Sequence, residues 1–248
     1  RTGSIGQPAS DPAPDGLAAT ALGAAAEDLA PGAFTRLKAS LPEGVATFRE
    51  LTRVAGPDTG SRPIDGWTDA AHWDPQRQRT FFLGIGGGRA RFISYDAANH
   101  RWEELEWAGE APPRDKAGKA FYGRTALDSA RGHYYYLYQK TLYRYVIDER
   151  RWQRLGGTPL EGPVPIEWHG ALDMLVGVDA HTVHALDGAR WRTIGEAGVH
   201  GDYASAVYNS VRRELLMLGG RESPQRVTLL DANGVLRDGP EVPFQHQL

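Results

Sequence analysis

Apolar and polar positions in this chain alternate in short bursts, and the bursts recur in a fixed order. A run of small residues comes first, then a turn, then a bulky apolar run. A short turn, an alternating run and an Asp follow, and the unit closes on an outer run led by Trp. The first unit is Ala70–Pro75, Thr80–Ile85, Arg91–Asp96 and Arg101–Leu105. The second is Thr125–Asp128, Tyr134–Tyr138, Leu142–Asp148 and Arg151–Leu155. The third is read as His169–Asp173, Leu175–Val178, Thr182–Asp187 and Arg190–Ile194, and the fourth as Ser205–Asn209, Glu214–Gly220, Arg226–Asp231 and Gly234–Leu236. Each unit predicts four short strands with turn signals between them. Recurrence at this interval signals a repeat architecture.

The order of textures argues for propeller blades. The innermost strand of a blade sits where neighbouring blades converge, so it should carry small residues: Ala70-Ala71, Thr125-Ala126, Gly170-Ala171 and Ala204–Ala206. The second strand is covered on both faces and should be continuously apolar, as in Phe81–Leu83 and Leu215–Leu218. The outermost strand must fill a widening gap, which Trp102, Trp152 and Trp191 supply. Thr47–Leu51 has the texture of such an outer strand, with Phe48 in the Trp position, and is expected to open the domain.

Gly86-Gly87 with Trp102, and Gly219-Gly220 with Val235 or Leu236, resemble the Kelch repeat, which has a double glycine after the second strand and a Trp near the start of the last. The two middle units have Tyr138-Gln139 and Asp179-Ala180 where the glycine pair belongs. The resemblance runs from about Phe48 to Asp238 and is nearest to exported bacterial Kelch-like proteins. It implies an all-β, Kelch-like β-propeller of about four to five blades, whole or part of a larger ring, and no particular catalytic residue. Residues 1–33, rich in Ala and Pro, read as a flexible lead with a short helical stretch at Gly16–Leu29; residues 34–248 form the propeller domain. A bare blade face of four strands covers roughly 300 Å². Two of them left open would forfeit up to about 15 kcal/mol, so the chain ends or a protein partner at an open blade edge should cover them.

Composition narrows the function. The net charge of −3 gives no general attraction to nucleic acid or to an acidic membrane surface. Without cysteine, disulfides and thiolate chemistry are excluded, which suits a secreted or periplasmic protein. No apolar stretch is long enough to insert into a bilayer.

The candidate site is the channel mouth, where loops lead into the innermost strands. Trp67, Asp69, His72, Tyr122, Glu167, Trp168 and Asp202 are the expected ligand-binding groups, and Arg124, His169, His200 and Tyr203 the expected catalytic ones. Indoles stack on pyranose faces while Asp, Arg and His reach hydroxyls and carboxylates, so glycan or polysaccharide recognition is one reading. A metal-independent uronate lyase is another, with Arg124 neutralising the carboxylate and a His or Tyr removing the C5 proton. The third is a protein-interaction scaffold whose polar mouth only satisfies loop backbones. No metal or cofactor is expected: His181 and His184 fall at an odd offset beside a strand and point to opposite faces. Asp96, Asp148, Asp187 and Asp231 are expected to cap turns.

Overall fold

The computed structural model describes residues 23–24, 27–30, 33, 39–46, 51, 53–54, 62–63, 71–84, 90–114, 124–162 and 164–243. After a two-stranded pair, β1 (Arg53–Val54) with β2 (Arg62–Pro63), the chain forms four antiparallel four-stranded sheets. Blade 1 is β3 (Ala71–Asp74), β4 (Arg79–Gly84), β5 (Arg91–Asp96) and β6 (Arg101–Glu104). Blade 2 is β7 (Thr125–Asp128), β8 (His133–Tyr138), β9 (Thr141–Val146) and β10 (Arg151–Gly157). Blade 3 is β11 (Ile166–His169), β12 (Met174–Asp179), β13 (Thr182–Asp187) and β14 (Arg190–Glu196). Blade 4 is β15 (Ala204–Asn209), β16 (Glu214–Gly219), β17 (Val227–Leu230) and β18 (Leu236–Asp238). Strands follow chain order within each sheet, and the first strands of adjacent blades pack together, which makes a four-bladed β-propeller.

Blade 3 departs from the expected register. Gly170–Asp173 is a hairpin turn, and the inner strand is Ile166–His169. The reason lies in how the inner strands end. Asp74 accepts from the amides of Gln76 and Arg77, Asp128 from Arg131, and Asn209 from Val211 and Arg212. His169 occupies the same place, and its Nδ1 accepts the Leu172 amide at 3.2 Å. Each four-residue turn then closes on a residue with positive φ: Gln78, Gly132, Asp173 or Arg213. A search for Asp or Asn misses a histidine that does the same work.

The core consists of interblade seams. Between blades 1 and 2, Phe81, Leu83 and Phe92 meet Tyr134, Tyr136, Tyr145 and Trp152. Trp152 is 1% exposed, and its ring lies 5.4 Å from Phe92 and 5.2 Å from Tyr145. Between blades 2 and 3 the seam is Ala126, Leu137, Leu142, Leu160 and Leu175; between blades 3 and 4 it is Val176, Val178, Val183, Leu215 and Met217. Ion pairs stitch the same seams at the inner-turn end. Arg77 bonds Asp74 in its own blade and Asp148 in blade 2, and Arg131 bonds Asp128 and Asp173 in blade 3. Asp96 and Asp231 cap turns as expected, by accepting the Asn99 amide and the Asn233 and Val235 amides.

The two end blades differ. The outer face of blade 1 is covered, with Leu51 and Ile93 fully buried against Leu41, Val45, Phe82 and Trp102. Ser40 also pairs with Arg101 at the edge of β6. Leu51 is helical, so it is not the end of an outer strand; the rest of that expected strand, residues 47–50, lies outside the described residues. Most of the N-terminal lead does too, although Gly23, Ala24 and Glu27 are helical. On the far face of blade 4, Val207 remains 58% exposed.

Replacing Trp152 with Ala should lower the unfolding free energy by about 3–5 kcal/mol, the cost of emptying a filled aromatic site. Trp191→Ala should cost clearly less, because that indole is half-buried at the rim. Equal losses in denaturant titrations would show that the interblade seams do not hold the fold together.

Candidate functional site

Among the described residues, three kinds of segment lie at the same end of the blades: the loops leading into the inner strands, the ends of the outer strands, and the turns between second and third strands. This is the channel mouth. Arg124 stands immediately before β7, and its carbonyl accepts the Leu137 amide, which fixes the backbone to blade 2. Its guanidinium lies near Tyr136, Tyr203 and Asp202, so the loop into blade 4 faces blade 2. The Arg124 Nε is buried without a hydrogen-bond partner. Burial lowers the pKa of this guanidinium despite the opposing pull of Tyr136, Tyr203 and Asp202.

The loop from β14 to β15 supplies His200, Asp202 and Tyr203. The His200 amide donates to Ser223 Oγ at 2.6 Å, and the Asp202 carbonyl accepts the Arg221 amide at 2.8 Å. Tyr203 has φ 59°. Among the described residues, every other non-glycine with positive φ sits in a β-hairpin turn. An aromatic residue held in the left-handed region costs about 1–3 kcal/mol and points to a functional constraint. The Arg221 guanidinium lies 5.6 Å from the Tyr203 ring centre. Gly220 makes the close approach possible: with φ +99°, a Cβ there would run into the His200 carbonyl. This is the second glycine of the Kelch-like pair. In blades 2 and 3, Gln139 and Ala180 adopt positive φ at the corresponding turn without a glycine.

His72 and Glu167 occupy equivalent places, the second position of β3 and of β11. His72 Nε2 bonds Thr125 Oγ1 at 2.9 Å and stands edge-on to Tyr134, bridging blades 1 and 2. Burial pushes its pKa down to about 4. Glu167 accepts the Trp168 amide at 2.9 Å, and burial pushes its carboxyl up to about 8. Both are neutral at pH 7.

Other expected site residues stand apart. His169 lies two residues beyond Glu167 along β11, about 7 Å towards the opposite end. It is fully buried; Nε2 donates to the Leu230 carbonyl at 3.1 Å and Nδ1 accepts from Leu172. Trp168 is stacked on Tyr135 with Arg131 over its ring, inside the seam between blades 2 and 3. Trp67, Asp69 and Tyr122 lie outside the described residues.

The structure adds a group that sequence spacing conceals. His181, His200 and Glu222 come from three different loops, and their potential ligand atoms lie within 4.8 Å of one another. Residues 41 positions apart give no motif, so only the shared blade register could have brought them together on paper. A separate cleft of about 120 Å³ opens at the rim between blades 2 and 3, lined by Tyr135, Arg144, Leu155 and Trp191 among others.

No family model matches the chain, and no curated protein matches it. Solved structures do. An auxiliary nutrient binding protein from Bacteroides ovatus is similar over 79% of this chain and 46% of its own, with 12% identity and a TM-score of 0.52. A streptogramin B lyase is similar over 79% and 64%, with 9% identity and a TM-score of 0.51. A nidogen/laminin complex is similar over 70% and 65%, with 13% identity and a TM-score of 0.50. The likeness is one of fold, and the chain spans less than two thirds of each of these structures.

The two neutral groups give opposite pH dependences. His72 has a folded pKa below its unfolded value near 6.5, so its contribution is fully present above pH 6.5 and is lost as pH falls towards 4. Glu167 has a folded pKa above its unfolded value near 4.5, so its contribution is present below pH 4.5 and is lost as pH rises through 8. His72→Gln should remove the rise in stability between about pH 4 and 6.5, and Glu167→Gln the fall between about pH 4.5 and 8. Melting curves across pH 4–9 that keep both slopes in the variants would refute these assignments.

Proposed function

We propose that this protein is a recognition module that binds an acidic glycan, a uronate-bearing polysaccharide, at the channel mouth. The observation that carries this reading is Arg124. Among the described residues its buried Nε has no partner, and a buried unpaired donor is costly unless a ligand satisfies it. A carboxylate is the natural acceptor, because it pairs with guanidinium by two parallel hydrogen bonds. Tyr203 and Asp202 would add contacts to sugar hydroxyls, and the strained backbone at Tyr203 holds that ring ready. The likeness in fold to an auxiliary nutrient binding protein suits a binding role. Absence of cysteine suits a protein working outside the cytoplasm, and no helix among the described residues is long and apolar enough to cross a membrane.

A second reading is uronate lyase chemistry, favoured by the placing of Tyr203 beside Arg124. Arg124 would neutralise the carboxylate; Tyr203, as its phenolate, would take the C5 proton, the C4=C5 double bond would form as the C4–O bond breaks, and the departing O4 would take that proton back from Tyr203. His169 has no part in either reading, since both its ring nitrogens are engaged by backbone groups.

Oligouronates such as oligogalacturonate or alginate fragments should bind with an affinity that falls at least tenfold in Arg124→Ala, while neutral oligosaccharides of the same length bind weakly. Calorimetry on both variants tests this, and equal affinity for acidic and neutral chains would end the proposal. A rise in ultraviolet absorbance from an unsaturated product, abolished in Tyr203→Phe, would select the lyase reading; binding without that rise selects recognition.

A further inference from the structure

We propose that His181, His200 and Glu222 form a binding site for a divalent transition metal, best suited to Zn²⁺. The three side chains converge from different segments. His181 lies in the tight turn between β12 and β13, His200 in the loop before β15, and Glu222 in the loop after β16. Their candidate ligand atoms fall within 4.8 Å of one another, and the two imidazole rings meet edge to face at 5.0 Å. Around a tetrahedral zinc with ligand bonds near 2.0–2.1 Å, ligand atoms stand roughly 3.3 Å apart. Glu222 is exposed, so its side chain can close that difference by rotation.

The loops that carry the site are fastened to one another. The Gly201 amide donates to the Ala180 carbonyl, beside His181. Ser223 Oγ accepts the His200 amide at 2.6 Å and donates to the Gly219 carbonyl at 3.1 Å. The Arg221 amide, beside Glu222, bonds the Asp202 carbonyl. Gly201 and Gly220 allow this meeting, because a Cβ on either would run into the Val178 or His200 carbonyl.

The first histidine is set for coordination. A carbonyl can only accept, so the 2.9 Å bond between His181 Nδ1 and the Val199 carbonyl puts the proton on Nδ1. The lone pair is then on Nε2, the arrangement that outer-sphere carbonyls impose on metal-binding histidines. His200 Nδ1 accepts the Asp202 amide at 3.3 Å, a long bond. Coordination through Nε2 exchanges that bond for a proton on Nδ1. Two imidazoles with one carboxylate favour zinc and its transition-metal neighbours, while calcium and magnesium prefer all-oxygen sites. Three protein ligands leave a position open at the mouth, as in zinc sites that engage an exogenous molecule.

The test needs no glycan, so it stands or falls independently of the acidic-glycan reading. Full-length protein without a polyhistidine tag is stripped with chelator and titrated with ZnSO₄ by calorimetry. One Zn²⁺ per chain should bind, at least tenfold more weakly in both His181→Ala and Glu222→Gln, and unchanged in His184→Ala. Co²⁺ should give a visible absorption spectrum in the wild type that is lost in His181→Ala. A millimolar excess of Mg²⁺ should leave Zn²⁺ in place. Absence of saturable Zn²⁺ binding, affinities in His181→Ala and Glu222→Gln equal to wild type, or displacement by Mg²⁺ would each overturn the assignment. Both substituted side chains are exposed and Glu222→Gln preserves shape, so matching melting curves of the metal-free forms would establish that a lost affinity reflects a lost ligand.

Discussion

A β-sheet that is apolar on both faces must be covered on both faces, and everything else in this structure follows from that requirement. The second and third strands of the blades carry Phe81, Tyr134, Val176, Leu215 and their neighbours, and water on either side of them would be costly. Each sheet therefore finds cover against the next. Repeating that step around an axis gathers the loops at the ends of the inner strands, and those gathered loops make the mouth. The uncovered side of blade 1 is closed by Leu41, Val45 and Leu51, which shows the same requirement met by chain from outside the repeats.

The mouth is polar because it lies outside the seams. Arg124, Asp202 and Tyr203 stand where strands begin, and the Arg124 and Asp202 carbonyls are held by backbone hydrogen bonds. His72 and Glu167 sit one step inside, where burial keeps both neutral at pH 7. At the opposite end the polar residues have structural roles: Asp74, Asp128, His169 and Asn209 hold turns, and Arg77 and Arg131 join one blade to the next. The polar groups that hold turns and join blades are thus gathered at the end away from Arg124, Asp202 and Tyr203.

His169 shows where reading a histidine from composition fails. Its place in a Gly- and Ala-rich stretch suggests a small-residue inner strand beginning at a loop. The structure puts it at the finish of that strand, in a slot that Asp or Asn fills in the other blades. The slot needs only an acceptor reaching the amide three residues on, and imidazole Nδ1 meets that need as well as a carboxylate oxygen does. The slip of a few residues carried Trp168 with it, from a supposed sugar platform into an interblade stack.

By itself the chain determined the repeat, the strands of every blade but the inner one of blade 3, and the outer tryptophans, because strand periodicity and seam burial depend on neighbours a few residues apart. Thr125–Asp128, for instance, is the inner strand of blade 2 as its alternation and turn signals require. The position of Arg124 and Tyr203 just before an inner strand was likewise legible. Only the tertiary structure decided that Arg124 faces Asp202 across the mouth, that Nε is left unpaired, and that His181 and His200 meet Glu222. Those meetings are set by how far each blade turns about the axis and how its loops pack, quantities that belong to the assembled blades and leave no spacing in the sequence.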